Sequence, residues 1–219
     1  MRLLWSILGM LLLGGAAQAQ TPQDAISGCE PVLTVQYRDC QVDHIYACGA
    51  RGFVLVQIEE GKREGLEETT TDGDTRWFVD LDTKGGIFFP EPGDPLSIKL
   101  LRETGREMVA KEGDLDMGAR GRFKSLVHMT LRLDKATSEI DGVSGRRGTA
   151  ALAMEVPEMG ATTTRRHEIF LPDALDVILS DETHVDGVPA IPRGIMNVIE
   201  PGEPGFLSTQ GRYDCGELG

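Results

Sequence analysis

The spacing of the four cysteines constrains the fold of this chain more than any other feature. Cys29, Cys40 and Cys48 lie close together near the start, and Cys215 lies close to the C-terminus. In an exported chain an even number of cysteines predicts a disulfide framework, and four cysteines allow three connectivities. The sequence contains no Cys-x-x-Cys, the usual spacing of thiol-redox and cysteine-zinc sites. We therefore expect two structural disulfides, one of which ties the last segment to the first.

A strand between two of the cysteines ranks the connectivities. Residues 41–47 are rich in β-branched and aromatic side chains, and as one extended strand they would hold Cys40 and Cys48 about 26 Å apart, beyond disulfide reach. If residues 31–37 pair with this strand in a hairpin, Cys29 comes alongside Cys48, and Cys40 remains for Cys215. If the stretch before Cys40 is instead a loop, Cys29–Cys40 with Cys48–Cys215 is equally good. The hairpin favours the first arrangement.

The first nineteen residues read as a secretory signal peptide. Arg2 precedes an apolar run of about a dozen residues, and small residues follow up to Ala17-Gln18-Ala19. The run is shorter than the roughly 20 residues that span a bilayer, so we predict cleavage before Gln20 and no membrane span. A lipoprotein box ending at Cys29 is the alternative. The polar residues 20–24 argue against it, because they separate the box from the apolar core.

The charge of the chain narrows the classes of partner. Lys and Arg number 22 and Asp and Glu number 35. Removal of the signal peptide takes away Arg2 and no acid, so the mature net charge would be 21 − 35 = −14. Phosphate backbones and anionic lipid headgroups repel such a protein. We therefore expect no nucleic-acid partner and no electrostatic binding to a membrane surface.

The rest of the chain breaks into short β-rich segments separated by Gly, Pro and Asp clusters, which is typical of an antiparallel meander. We predict a mainly β fold: a single disulfide-bonded domain over residues 20–219, with a curved antiparallel sheet compatible with a half-barrel. Residues 59–74 are acidic and rich in Gly and Thr, so we expect an exposed loop or hairpin tip. The glycines between 142 and 148 are expected to form a loose turn. The predicted later strands are 53–59, 75–82, 86–90, 106–111, 120–133, 149–156, 162–171 and 175–180.

One short α-helix interrupts the strands. Asp94 is placed to cap its N-terminus, and Pro95 suits the first helical position. Leu96 and Leu100 begin an apolar stripe, and Gly105 is placed to end the helix. About ten residues form a marginal helix alone, so we expect it to pack on the concave face of the sheet.

No catalytic or metal-binding motif stands out. The four histidines lack metal-ligand spacing with one another. Residues 80–85 lack the third acid that a calcium loop needs. Residues 142–145 lack the complete Gly-x-Ser-x-Gly motif of a nucleophile elbow. We predict no catalytic residue, no metal and no cofactor. The Arg146-Arg147 and Arg165-Arg166 pairs have the chemistry to hold an anion. In a chain with 35 acids we expect them to pair with Asp and Glu instead. The histidines are His44, His128, His167 and His184.

Several short motifs are spread over most of the mature chain: Cys40-x-Val42, Ile45-Tyr46-x-Cys48, Asp94-Pro95, Pro201-Gly202-Glu203-Pro204-Gly205-Phe206 and Cys215. Together they resemble a family of uncharacterised exported bacterial proteins, and this resemblance implies neither an activity nor a site residue. In the second half, Glu168–Pro172 leads into Asp176–Leu179. This strand–turn–strand is similar to part of the half-barrels of periplasmic lipoprotein carriers.

The sequence therefore predicts an exported, non-enzymatic protein, periplasmic or secreted, that binds a hydrophobic ligand such as a lipid or another envelope protein. The alternative is a hydrolase-type enzyme whose site is assembled from residues distant in sequence, with His128 or His167 beside an acid. The two hypotheses predict different pocket chemistry. A carrier needs an apolar cavity with few polar groups, whereas an enzyme needs converging titratable groups.

Overall fold

A computed structural model describes residues 26–38, 40–59, 62–69, 74–80, 87–90, 96–185, 194–213 and 215. Antiparallel strands dominate these residues, and the only helix of the α type among them is α1, Ile98–Thr104. The strands are β1 (Glu30–Tyr37), β2 (Val42–Ala47), β3 (Phe53–Glu59), β4 (Lys62–Thr69), β5 (Asp74–Asp80), β6 (Ile87–Pro90), β7 (Leu96–Ser97), β8 (Arg106–Asp116), β9 (Arg122–Ile140), β10 (Val143–Val156), β11 (Ala161–Pro172), β12 (Leu179–Val185) and β13 (Ile195–Ile199).

The strands form one antiparallel path in which neighbours in sequence are neighbours in space. The order is β12-β11-β10-β9-β8-β6-β5-β4-β3-β2-β1-β13, and the short β7 pairs with β5. Sheet A comprises β1–β4, β7 and β13, sheet B comprises β6 and β8–β12, and β5 pairs with strands of both. Among the described strands, β7 and β13 leave the meander: β7 pairs with β5, and β13 follows β12 in sequence but lies beside β1. The predicted mainly β class and antiparallel meander are confirmed, and the half-barrel curvature stays a prediction.

The long strands of sheet B alternate between a buried and an open face. Successive side chains of a strand point to opposite sides, and in β9 every second residue from 125 to 133 is buried. Helix α1 covers part of this face: Ile98 and Leu101 pack with Leu131 of β9 and Leu171 of β11. Burial of these side chains stabilises a helix of seven residues that would not form alone.

A second core lies between the two sheets. Val35 and Ile45 of sheet A pack with Ile140, Phe170 and other buried residues of sheet B. Ile140 and Phe170 lie on the face of sheet B that α1 does not cover, near the hairpin that joins β9 to β10. Sheet B is therefore covered by α1 on one face and by sheet A at one end of the other. The remainder of that second face is open.

The helix begins later than the sequence predicted. Its N-cap is Ser97, whose Oγ accepts the main-chain N–H of Leu100 at 3.1 Å. The expectation that Asp94 caps the helix is wrong, because Leu96 and Ser97 form β7 and postpone the first turn. Gly105 ends the helix as predicted, with φ 72° and its N–H donated to the carbonyl of Leu101. Residues 91–95 lie outside the described residues.

Three strand predictions are corrected. Within 59–74, Lys62–Thr69 forms β4 rather than a loop, because pairing with β3 and β5 on either side satisfies its main chain. Gly145 and Gly148 lie inside β10 instead of in a turn, and only Gly142 belongs to the hairpin connection. The final strand of sheet B begins at Leu179 and not at residue 175, because the turn after β11 is longer than expected.

The cysteines pair as the hairpin argument favours. Cys29 is bonded to Cys48, with 4.3 Å between their Cα atoms, and Cys40 is bonded to Cys215, with a Cα separation of 5.0 Å. β1 and β2 form the predicted hairpin, with Glu30 opposite Ala47. Such bonds persist in oxidising compartments outside the cytoplasm. Among the described residues, no helix has the length and apolarity that a membrane span requires. The predicted signal peptide lies outside them.

Candidate functional site: an open groove on sheet B

The open part of sheet B forms a groove of about 790 Å³ across β9, β10 and β11. Register places its residues in rows. His128, Ala153 and Thr164 face the same side from adjacent strands, and Thr130, Ala151 and Arg166 form the next row. Glu168 closes one end. We call this surface, defined by those seven residues, the outer groove.

The outer groove exists because its middle strand carries small side chains. Ala151 and Ala153 alternate with Leu152 and Met154, which are buried on the opposite face. The methyl groups leave a low floor between the longer side chains of β9 and β11. On β8, Met108 stands opposite Thr130, and its side chain is 63% exposed. The surface is thus an apolar strip with polar edges.

The charged groups of the outer groove are weakly engaged. Arg166 Nη2 lies 3.8 Å from Glu168 Oε1; the arginine is exposed and the glutamate is half-buried, so this long ion pair adds little stability. The imidazole of His128, an exposed residue, makes no hydrogen bond or ion pair with any residue that the structure describes. These side chains are therefore available to contact a ligand or a partner.

The contacts that the structure describes place the histidines in separate surroundings. His128 faces the outer groove, whereas His167 is paired with Ala150 on the opposite face of sheet B, and its Nδ1 lies 3.4 Å from Ser180 Oγ. His44 Nε2 lies 2.9 Å from the carbonyl oxygen of Ser208. The main chain of His184 is in β12, opposite Arg166. The four histidines are thus dispersed over both sheets.

The arginine pairs split between acids and carbonyl groups. Arg147 forms an ion pair with Asp181, and Arg166 lies near Glu168, as expected. Arg146 Nη2 instead donates to the carbonyl oxygen of Arg102, at the end of α1, at 2.7 Å. Arg165 Nε is buried and has no hydrogen-bond partner among the described residues. The two pairs therefore do not converge on one anion site.

Two acidic residues at the end of β8 form surface ion pairs with basic residues at the start of β9. Asp114 lies 3.2 Å from Lys124, and Asp116 lies 3.1 Å from Arg122. The main-chain N–H of Gly118 and then the Arg122 guanidinium lower the pKa of Asp116 below its ordinary value of 3.8. Within the described ranges, no three His, Cys, Asp or Glu residues are close enough to hold a metal ion.

One group of polar residues was missed from the sequence. Thr34, Gln36 and His44 lie on the outer face of sheet A, and their exposed fractions are 0%, 0% and 4%. In β1, the polar residues alternate with Val35 and Tyr37, a pattern that normally places them in solvent. The returning C-terminal segment forms hydrogen bonds with all three residues, and a contact over so long a stretch of sequence leaves no local signal.

The fold and the outer groove describe a disulfide-bonded, antiparallel β protein with one open sheet face. Comparison with known protein families, with curated proteins and with solved structures finds no match to this chain.

Proposed function

We propose that this chain is an exported, non-enzymatic protein that binds another envelope protein through the outer groove. A single observation carries the proposal: a strip of small side chains on an open sheet face, edged by His128, Arg166 and Glu168. Apolar contact area with a polar rim is the usual anatomy of a protein–protein interface. The two disulfides support a site of action outside the cytoplasm, and the predicted signal peptide favours the periplasm or secretion.

A protein partner suits this geometry better than a lipid does. Sites for small apolar ligands are usually concave and bury most of the ligand surface. The outer groove is open and carries charged edges. The apolar clusters on the other described faces are filled by the protein's own side chains, such as Phe170 between the sheets and Leu101 of α1. A lipid would find little enclosure in the outer groove.

The hydrolase alternative ranks second for a related reason. A general base needs a reactant within hydrogen-bond reach and a group that orients it. His128 has no such orienting contact among the described residues, and His167 faces the other side of the sheet.

Membership of the family of exported bacterial proteins is likewise part of this proposal, supported by the motifs at the two ends of the chain.

Native mass spectrometry of the protein purified from its own envelope tests the proposal. We expect a stoichiometric protein complex for the unmodified chain and for Ala174→Arg, a control in an exposed turn. Ala153→Arg fills the outer groove, so its complex should be lost. Circular dichroism would verify that both variants fold.

Three outcomes would contradict the proposal: a retained lipid in place of a protein, a complex that survives Ala153→Arg, or the unmodified protein alone.

A further inference from the structure

The outer face of sheet A carries a buried row of polar side chains. Thr34 and Gln36 of β1 and His44 of β2 lie beneath the C-terminal segment, with Thr34 directly opposite His44 in the strand register. Buried polar groups destabilise a protein unless hydrogen bonds replace those lost to water. We call these three residues the polar row, and residues 205–213, which cover them, the strap.

Every hydrogen bond between the polar row and the strap that the structure describes goes to the strap's main chain. The N–H of Leu207 donates to Thr34 Oγ1 at 3.0 Å, and His44 Nε2 donates to the carbonyl oxygen of Ser208 at 2.9 Å. Gln36 makes two bonds: its Nε2 donates to the carbonyl oxygen of Gln210 at 3.4 Å, and its Oε1 accepts the N–H of Arg212 at 3.2 Å. The polar row therefore recognises a peptide backbone rather than particular side chains.

The strap contributes little to the apolar cores. Among the described residues, no buried apolar side chain comes from position 200 onwards. Segments with few buried apolar contacts open at the lowest free energy. The strap is therefore held by main-chain hydrogen bonds, by a contact of Tyr213 Oη with Asn197, and by the bond between Cys40 and Cys215.

The attachment point of the strap is open to a reductant. Cys215 is exposed, whereas Cys48 of the other disulfide is buried. Cys40 has a φ of 68°, a left-handed conformation that is strained for a residue other than glycine. A bond of this kind, exposed at one end, is accessible to thiol–disulfide exchange.

We propose that the polar row is a binding site for the main chain of a partner's peptide, that the strap occupies this site as an autoinhibitory segment, and that the Cys40–Cys215 disulfide controls its occupancy. A dithiol protein reductant opens the site. One of its thiolates attacks Sγ of Cys215, and Cys40 leaves as a thiolate that takes up a proton. The second thiol of the reductant then displaces Cys215 as a thiol, so the reductant ends as a disulfide and the strap is released.

This inference does not rest on the proposed function. The polar row lies on sheet A, and the outer groove lies on sheet B. A failure at one site leaves the other untouched. The substitutions that test the two sites are also separate.

Hydrogen exchange of the full mature chain tests the release step. In Cys215→Ser, and in the unmodified protein after mild dithiol treatment, the amides of Leu207 and Arg212 should exchange at least about tenfold faster than in the oxidised protein. The amides of β9 and β10 should keep their protection. The matched control, Cys29→Ser with Cys48→Ser, should leave the strap protected. Unchanged strap protection, or a uniform loss across both sheets, would overturn the proposal.

A peptide tests the binding step. Because the tethered strap competes at a millimolar effective concentration, the receptor is the double variant Gly211→Ala/Cys215→Ser. Any side chain at 211 would come within 2.5 Å of the Cys40 carbonyl oxygen, so its own strap is displaced. A synthetic peptide of residues 203–213 should bind this variant and not the oxidised protein. Gln36→Ala added to the receptor should weaken binding at least about tenfold.

Backbone methylation of the peptide provides the sharpest control. An N-methyl group at Leu207 removes the donor to Thr34 and should abolish binding. The same group at Thr209 should not, because that N–H makes no hydrogen bond with the described residues. No binding of the unmodified peptide, or equal binding of the two methylated ones, would overturn the proposal.

Discussion

Asp181 of β12 accepts the main-chain N–H of Ile195 of β13 with its Oδ1 at 2.8 Å. These strands are the two ends of the strand path, so a side chain joins them where no strand ladder does. The other carboxylate oxygen is paired with Arg147. At the β9–β10 hairpin, Asp141 Oδ2 likewise accepts the N–H of Val198 at 3.1 Å. Two carboxylates thus cover N–H groups of an edge strand that would otherwise be available for pairing with another chain.

Removal of the Asp181 carboxylate should destabilise the protein. The residue is 8% exposed, and Asp181→Ala leaves the N–H of Ile195 without its acceptor and Arg147 without its partner. We expect a loss of about 2 kcal/mol in the free energy of unfolding, measured by urea denaturation. Asp114→Ala, which removes an exposed ion pair with Lys124, is the control and should cost about 0–1 kcal/mol. Equal losses would show that burial of Asp181 is unimportant.

The helix cap provides a second prediction. Ser97→Ala removes the acceptor for the N–H of Leu100 and should lower the free energy of unfolding by about 0.5–2 kcal/mol. Ser97→Asp retains an acceptor and should keep most of the stability that Ser97→Ala loses. The exposed Ser144 in β10 is a control, and Ser144→Ala should stay within about 0.5 kcal/mol of the unmodified protein. An unchanged free energy of unfolding in Ser97→Ala would mean that packing alone fixes the start of the helix.

The histidines should differ in their contribution to stability. His44 is buried and donates to the carbonyl oxygen of Ser208, so His44→Ala leaves that acceptor unsatisfied and should cost about 1–3 kcal/mol. His128 is exposed, so His128→Ala should change the free energy of unfolding by less than about 0.5 kcal/mol. Thermal denaturation followed by circular dichroism compares the two. A larger effect at His128 would be evidence against its free position in the outer groove.

Close approach of the strap to β1–β2 makes Gly211 sensitive to any side chain. A Cβ at this position would come within 2.8 Å of the Cα and carbonyl carbon of Cys40, and main-chain atoms cannot move aside cheaply. Gly211→Ala should therefore cost about 1–3 kcal/mol. At Gly194 the nearest atom would be Asp181 Oδ1 at 3.9 Å, an ordinary contact, so Gly194→Ala is the matched control. Similar melting temperatures for the two variants would contradict the close approach.

The Asp116 carboxyl should titrate below 3.8. Its pKa is lowered first by the Gly118 N–H and then by Arg122. A folded-state pKa below the unfolded one means that the stabilisation is present above the unfolded pKa and is lost as the pH falls through the folded value. NMR titration of the side-chain carboxyl checks the direction. Arg122→Gln should raise the pKa only in part, because the Gly118 hydrogen bond remains.

Local pattern predicted the elements whose ends are marked by residue chemistry. β3 was predicted with the bounds that the structure gives, and Gly105 ends α1 in the left-handed conformation. The strand between Cys40 and Cys48 excluded a bond between these two residues, and the hairpin favoured the pairing that the structure shows. The predicted N-cap of α1, Asp94, was wrong. Ser97 could be recognised as the cap only once β7 had paired with β5. The Asp141-Gly142 hairpin had a usable signal, since Asp-Gly favours two-residue turns.

The candidate sites were harder to predict than the strands. The outer groove depends on the register that aligns Ala153 of β10 with His128 of β9 and Thr164 of β11. A shift of one residue in either ladder would turn one of these side chains to the opposite face. Register between strands is set by packing and by hairpin geometry across the whole sheet, so a pattern within one strand does not contain it.

By itself, the sequence determined most of the antiparallel strands and the end of the helix, because each follows from residues near in sequence. The reach of a disulfide favoured the pairing that the structure shows, but it left Cys29–Cys40 with Cys48–Cys215 open. Tertiary structure alone decided that Thr34, Gln36 and His44 are buried and that Asp181 meets Ile195. Those contacts join residues more than a dozen positions apart, and up to 176 apart for Gln36 with Arg212. Their pairing is fixed by how the sheets and the returning chain pack, which no local periodicity encodes.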